Sequence, residues 1–312
     1  MKRLFPLFGV CLLAAACSAA AVSTPAPSPS PTPRPTAAAS GYAVATEPNH
    51  LILSIATGGG FIAPSSLLTE IPAFALFGDG TIVVPGPVVQ VDPAPLLPNL
   101  AVERVTPAEI QKIVAAADAA GLLGPDASYD IVGVADAGTT TFTTVVNGRA
   151  HRVSAYALSP SGDADQPGQP GRPGAGGLAT PDPAISAARA KLSSFWAQMS
   201  DLATFLGRPV SDTAKYVPAG IDVFLTDAGL ADPSQPVAQV AWPLAADPSK
   251  VGRPTAVDGT VCVALTGADL TGFTAAAGAS NGATVWTYGS ARYTIGVRPL
   301  YPNETGCSGG AL

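Results

Sequence analysis

Two histidines, four cysteines and a few large aromatics are the residues of this 312-residue chain best equipped for chemistry. His151 is the catalytic candidate. A hairpin turning at Asn147-Gly148 pairs it with Thr144 and sets it on the face of Phe142, Val153 and Ala155, where an imidazole could serve as acid or base. Asp136 and Ser154 are its conceivable partners, although strand alternation sends Ser154 to the opposite face. A packed, hydrogen-bonded histidine is the competing reading of the same position. His50, beside Asn49 at the entrance to a strand, reads as exposed. Trp242, Trp286, Tyr288 and Tyr293, with Arg292 and Arg298, could form an aromatic platform for a sugar or peptide, and the same residues suit the interior of a sheet.

Other chemistry is excluded more firmly. Thr57-Gly58-Gly59-Gly60-Phe61 lacks the Gly-Lys-Ser/Thr ending or the G-x-G-x-x-G frame of a phosphate loop and reads as a flexible strand end. Asp79, between two glycines, is a turn residue. No G-x-S-x-G elbow, H-E-x-x-H helix, EF-hand loop or C-x-x-C pair occurs, so no catalytic set, cofactor site or metal site is assigned.

The cysteines speak about location. Lys2 and Arg3, an apolar run from Leu4 to Ala16 and small residues before Cys17 make a secretory signal over residues 1–16, too short for a bilayer core that takes roughly 20 residues. Ala14-Ala15-Ala16-Cys17 resembles the lipobox of bacterial lipoproteins, which implies a lipid on Cys17. The family's usual leucine three places before the cysteine is here Ala14, with Leu13 one place earlier. Ordinary signal cleavage after Ala16 or Ala21 is the alternative. Cys11 leaves with the signal, so Cys262 and Cys307 remain as a pair, and in an oxidising compartment they should form one disulfide.

Residues 17–42 read as a tether. Prolines at 25, 27, 29, 31, 33 and 35 alternate with small residues and favour an extended polyproline conformation, at about 3.1 Å per residue. Such a spacer could hold a folded body roughly 70 Å from a membrane surface. The formal net charge of −6 becomes −8 once Lys2 and Arg3 are removed, and only 12% of residues are charged. Nucleic acid is therefore an unsuitable partner, and attachment to a membrane would come from the lipid and not from basic residues.

The elements that must position any site fall on either side of residues 159–183, where six prolines and six glycines in 25 positions read as a linker or long exposed loop. Before it, residues 43–158 promise a strand at Leu51–Ile55 and a hairpin from Ala73–Phe77 through Gly78-Asp79-Gly80 into Thr81–Val84. A capped helix from Thr106 and the Asn147-Gly148 hairpin follow. After it, residues 184–312 promise a helix over Ala184–Leu206 that packs on a sheet, with a coiled-coil seam as the weaker alternative. They also promise a strand at Val261–Leu265, a capping box from Thr266 to Asp269, and a hairpin from Thr284 to Val297 turning near Gly289. The expected class is α+β, with two mixed or antiparallel sheet-plus-helix lobes built on a divergent strand–helix–hairpin repeat in which Thr106 and Thr266 correspond.

The tethered signal, together with Phe74-Ala-Leu-Phe-Gly-Asp-Gly-Thr81, Pro85-Gly-Pro87, Pro95-Leu-Leu-Pro-Asn-Leu100, His151-Arg-Val-Ser-Ala-Tyr-Ala-Leu158, Trp242-Pro-Leu244 and Arg298-Pro-Leu-Tyr-Pro302, resembles a group of secreted lipoproteins of actinobacteria and related high-GC bacteria. The resemblance spans most of residues 50–302 and implies an extracytoplasmic, membrane-anchored location without implying a reaction. The functional expectation is a non-enzymatic module that binds an envelope or extracellular protein, peptide or glycan. The alternative is an extracytoplasmic hydrolase using His151.

Overall fold

The computed structural model describes residues 41–131, 133–160, 182–230 and 237–307. The signal, Cys17 and nearly all of the tether lie outside the described residues, as do residues 161–181 of the Pro/Gly-rich stretch.

Two sheets and their covering helices make an α+β fold. The first sheet has eight strands in the order β5-β7-β6-β1-β2-β3-β4-β8. Its strands are β1 (Leu51–Gly58), β2 (Phe74–Phe77), β3 (Thr81–Pro85), β4 (Leu100–Arg104), β5 (Ala127–Ser128), β6 (Thr139–Val146), β7 (Arg149–Tyr156) and β8 (Ser211–Lys215). The second has six, in the order β10-β13-β14-β9-β12-β11. These are β9 (Gly220–Asp227), β10 (Gln239–Ala241), β11 (Arg253–Pro254), β12 (Thr260–Thr266), β13 (Val285–Tyr288) and β14 (Ala291–Pro299). Pairing is antiparallel except for β5 with β7 and β10 with β13.

Local chemistry explains the elements that the sequence announces. Asn147 and Gly148 take positive φ of 55° and 70°, the conformation that lets a two-residue turn match strand twist. At Gly78-Asp79-Gly80, Asp79 accepts hydrogen bonds from the backbone N–H and the hydroxyl of Thr81. Among the helices, α1 (Pro64–Leu67) and α5 (Pro248–Val251) are single turns, whereas α2 (Pro107–Ala119) opens with a complete capping box at Thr106 and Glu109 and buries Ile110, Ile113, Val114 and Ala117.

Three expectations change. The helix expected over residues 184–206 is two helices, α3 (Pro183–Ser200) and α4 (Leu202–Leu206), because Asp201 leaves helical geometry to cap the second one. Helix α3 begins inside the supposed linker, on an Asp182 cap with Pro183 in the first turn. Finally, α6 (Gly267–Ala277) follows Thr266 without a side-chain cap. Gly267 has φ of +55°, which turns the first helical amides away from the threonine hydroxyl.

The lobes do not divide at residues 159–183. Leu192, Phe195, Met199 and Leu202, from α3 and α4, pack with the α2 stripe and with Ile52, Ile55, Leu76 and Phe142 of the first sheet. Strand β8 extends that sheet beyond β4, so the polypeptide returns to the first lobe before entering the second. The strand–helix–hairpin order recurs with one insertion: β4-α2-β5-β6-β7, where β5 is a two-residue extra strand, and β12-α6-β13-β14. The hairpins dock differently: the first joins its sheet through its leading strand, β6 on β1, and the second through its trailing strand, β14 on β9.

The C-terminal segment joins the sheets. Alternation in β2 sends Phe74 and Leu76 toward the helices and Ala75 and Phe77 to the other face, where Tyr301 covers them with Val83 and Leu100.

Candidate functional site

His151 lies where its hairpin places it, opposite Thr144 and buried. Its Nδ1 is 2.7 Å from the carbonyl oxygen of Gly124, while Thr144 donates to the carbonyl of Leu122. The two side chains tie the segment after α2 onto the hairpin. Neither conceivable catalytic partner joins them. The Asp136 segment meets the far end of the hairpin, where the Ala137 N–H donates to the Tyr156 hydroxyl. Five residues of strand, about 16 Å, separate Tyr156 from His151. Ser154 points to the other face and bonds the hydroxyl of Ser128. His50 is half-buried.

The aromatic platform is dispersed. Trp286 is fully buried and stacks on Phe273 with ring centres 5.2 Å apart, and Trp242 leans on both. These rings fill the space between the second sheet and α6, together with Tyr293. Tyr288 donates to the carbonyl of Ala245, and Arg292 to that of Gly229. Arg298 leaves on the opposite face of β14, which separates it from Tyr293, Ile295 and Val297.

On that opposite face, Cys262 and Cys307 form the expected disulfide, with Cα atoms 5.7 Å apart. It ties the C-terminal segment to β12. Asp222, Cys262 and Cys307 present ligand-type atoms within 4.8 Å of one another, but the sulfurs are bonded to each other and do not form a metal centre. The Asp222 carboxylate accepts the Cys307 N–H, and burial pushes its pKa above the usual carboxylate range. Across the strand, Arg298 grips Glu304 through two hydrogen bonds of 2.8 and 2.6 Å and donates its Nε to the carbonyl of Glu70 in the first lobe.

The most unusual surface lies at one end of the eight-stranded sheet. Strands β1, β3, β7 and β8 run toward that end, and β2, β4 and β6 run away from it. The segments after β1, β3 and β8 therefore emerge together, and each carries large exposed apolar side chains. Phe61 is 87% exposed, Val89 71% and Val217 82%, and they are joined by Ile62, Leu67, Val88 and Val91. Soluble surfaces scatter such residues singly; a concentration at one rim marks an interaction surface. Asp92, Asp130 and Asp136 are exposed in the segments at this end, as is Lys215, the last residue of β8, at the sheet edge opposite β5 and Asp130. The sequence contains each of these apolar residues, but only strand order brings them to one end.

The chain enters at the other end. The N–H of Tyr42 donates to Gln111 on α2, and Ala43 exchanges hydrogen bonds with Asn147 at the hairpin tip. With β1 eight residues long, the entry point and the rim are about 25 Å apart. Comparison with protein-family models, with curated proteins and with solved structures finds no match to this chain.

Proposed function

We propose that this is an extracytoplasmic binding protein, held to a membrane by a lipid on Cys17, that presents its apolar rim to a protein partner. The observation that carries the reading is the rim itself: seven large apolar side chains exposed on three segments at one end of the first sheet. The entering chain is fixed at the opposite end of the first sheet, so a tether leading back to a membrane does not start beside the rim. An end that carries Lys215 and three exposed acids does not suit an anionic lipid surface. The hydrolase alternative loses support because, among the described residues, the His151 ring bonds a backbone carbonyl and neither Asp136 nor Ser154 reaches it.

The test is crosslinking on intact cells that express the full chain. The triple variant Phe61→Ser, Val89→Ser, Val217→Ser should lose partner capture by at least tenfold with its melting temperature within a few degrees of wild type, because all three residues are exposed. Cys17→Ser should take up no palmitate and pass into the medium. Capture by His151→Ala should stay within a few fold of wild type. Undiminished capture by the triple variant would remove the rim from the account, and turnover of an envelope polymer or peptide, abolished by His151→Ala in a folded protein, would establish the hydrolase instead.

A further inference from the structure

A second site lies between the lobes. Across β14, β9 and β12, the register puts Thr294, Thr226 and Thr260 side by side on the face opposite α6. Phe224 is one step along the same face, between Gly296 and Cys262. Opposite this floor, Ser65, Ser66 and Thr69 from the segment after β1 form a wall, and the half-open cleft between them measures about 280 Å³. Gly296 is needed for the wall to come so close, since a Cβ there would meet the Thr69 methyl at 2.6 Å.

The lining has a definite chemistry. Six hydroxyls face a space that also touches Phe224 and Ile295, and none of the ten lining residues is charged. The Thr226 and Thr260 hydroxyls lie 2.9 Å apart, Thr69 donates to the Ser66 carbonyl, and Thr294 donates to the Thr226 carbonyl. Each hydroxyl oxygen has two lone pairs and one proton, so these contacts leave capacity for a ligand. An ion entering such a cleft would exchange water for neutral dipoles without a counter-charge, which is costly. A flat molecule with polar edges and an apolar C–H face would meet hydroxyls at its rim and, beneath, the small part of the Phe224 side chain that reaches the cleft. The volume is at the lower end of small-molecule sites and suits a single six-membered ring.

We propose that this cleft binds one pyranose unit of a neutral saccharide. The wall belongs to the segment that also carries Phe61, Ile62 and Leu67 of the rim, but none of those three side chains lines the cleft. Saturation-transfer NMR on the mature chain, with maltose and N,N′-diacetylchitobiose as probes and glucuronate as the charged control, tests it. Transfer to at least one neutral sugar is expected at millimolar concentration, with little to glucuronate. The variant Thr226→Val, Thr260→Val, Thr294→Val keeps side-chain shape while removing three hydroxyls, and the signal should fall at least fivefold. The Phe61→Ser, Val89→Ser, Val217→Ser variant should leave it unchanged. Should the threonine variant fold poorly, Ser65→Ala with Ser66→Ala on the exposed wall should weaken the signal in a protein of normal stability. No transfer to either neutral sugar, equal transfer to glucuronate, or a full signal after the hydroxyls are removed would overturn the proposal.

Discussion

Arg298 shows how much one side chain can be asked to hold. It is 5% exposed, so its charge depends on the Glu304 carboxylate and the Glu70 carbonyl for what water would otherwise supply. Glu304 is less committed: its side chain keeps 23% exposure, and one oxygen also accepts the N–H of Tyr301. The two halves of the pair should therefore respond unequally. Glu304→Gln leaves a buried guanidinium without its counter-charge and should cost about 3 kcal/mol. Arg298→Met frees Glu304 to turn to solvent but also takes the cation from beside the buried Asp222, and should cost about 2 kcal/mol. Thermal melts at pH 7 check the order, and equal losses would mean that Asp222, across the strand, replaces Glu304 as the partner.

Among the elements, α2 is the most completely specified. Thr106 and Glu109 satisfy each other's backbone, and Arg208 clamps Glu109 from the segment after α4 with two hydrogen bonds of 2.6 Å. Arg208 first, and then the Thr106 N–H, hold the Glu109 carboxyl at about 2 against an ordinary value of 4.5. A depressed folded pKa contributes stability that is fully present above the unfolded value and is lost as pH falls through the folded one. Glu109→Gln should therefore lower the melting temperature at pH 7 by the few degrees that correspond to about 1 kcal/mol, and the gap to wild type should close between pH 4.5 and 2. A gap that persists unchanged at pH 2 would assign the loss to packing. Helix α6 has the same Thr-x-x-acid signature without the cap, so a capping motif in sequence stands or falls with the backbone angle of the residue after it.

At the scale of the molecule, the C-terminal segment fastens one sheet to the other. The Tyr301 ring stacks between Phe77 and Tyr216, its hydroxyl donates to the Pro72 carbonyl, and the Tyr216 hydroxyl donates to the Leu300 carbonyl. Both phenols are pushed up by burial, Tyr216 to about 12. The disulfide at Cys307 closes this strap on β12, and a loop of about 46 residues corresponds to roughly 4 kcal/mol of loop-closure entropy. Cys262→Ala paired with Cys307→Ala should lower stability by about that amount, and alkylation of the exported, unreduced wild type should find no free thiol at either position. Two alkylated cysteines would show that the bridge does not form in the cell.

Much of the first lobe was legible in the sequence because its signals are local. Asn147-Gly148 needs positive φ at two successive residues, Thr106-Pro107-Ala108-Glu109 caps its own helix, and each result depends on atoms a few bonds apart. The disulfide was legible for a different reason, since parity left one pairing. The chain alone could not show that β8 and α3 belong with the first sheet, because their apolar residues say only that something covers them and not which sheet does. Strand β9 escaped notice although it is the centre of the second sheet: Asp222 interrupts its apolar run, and only Arg298 and the Cys307 N–H make a carboxylate tolerable there. The sequence by itself determined the Asn147-Gly148 turn, the α2 cap and the pairing of the cysteines. The rim, the hydroxyl-lined cleft and the isolation of His151 were decided by tertiary structure, because each depends on which strand ends meet, and strand order is set by burial between residues far apart in the chain.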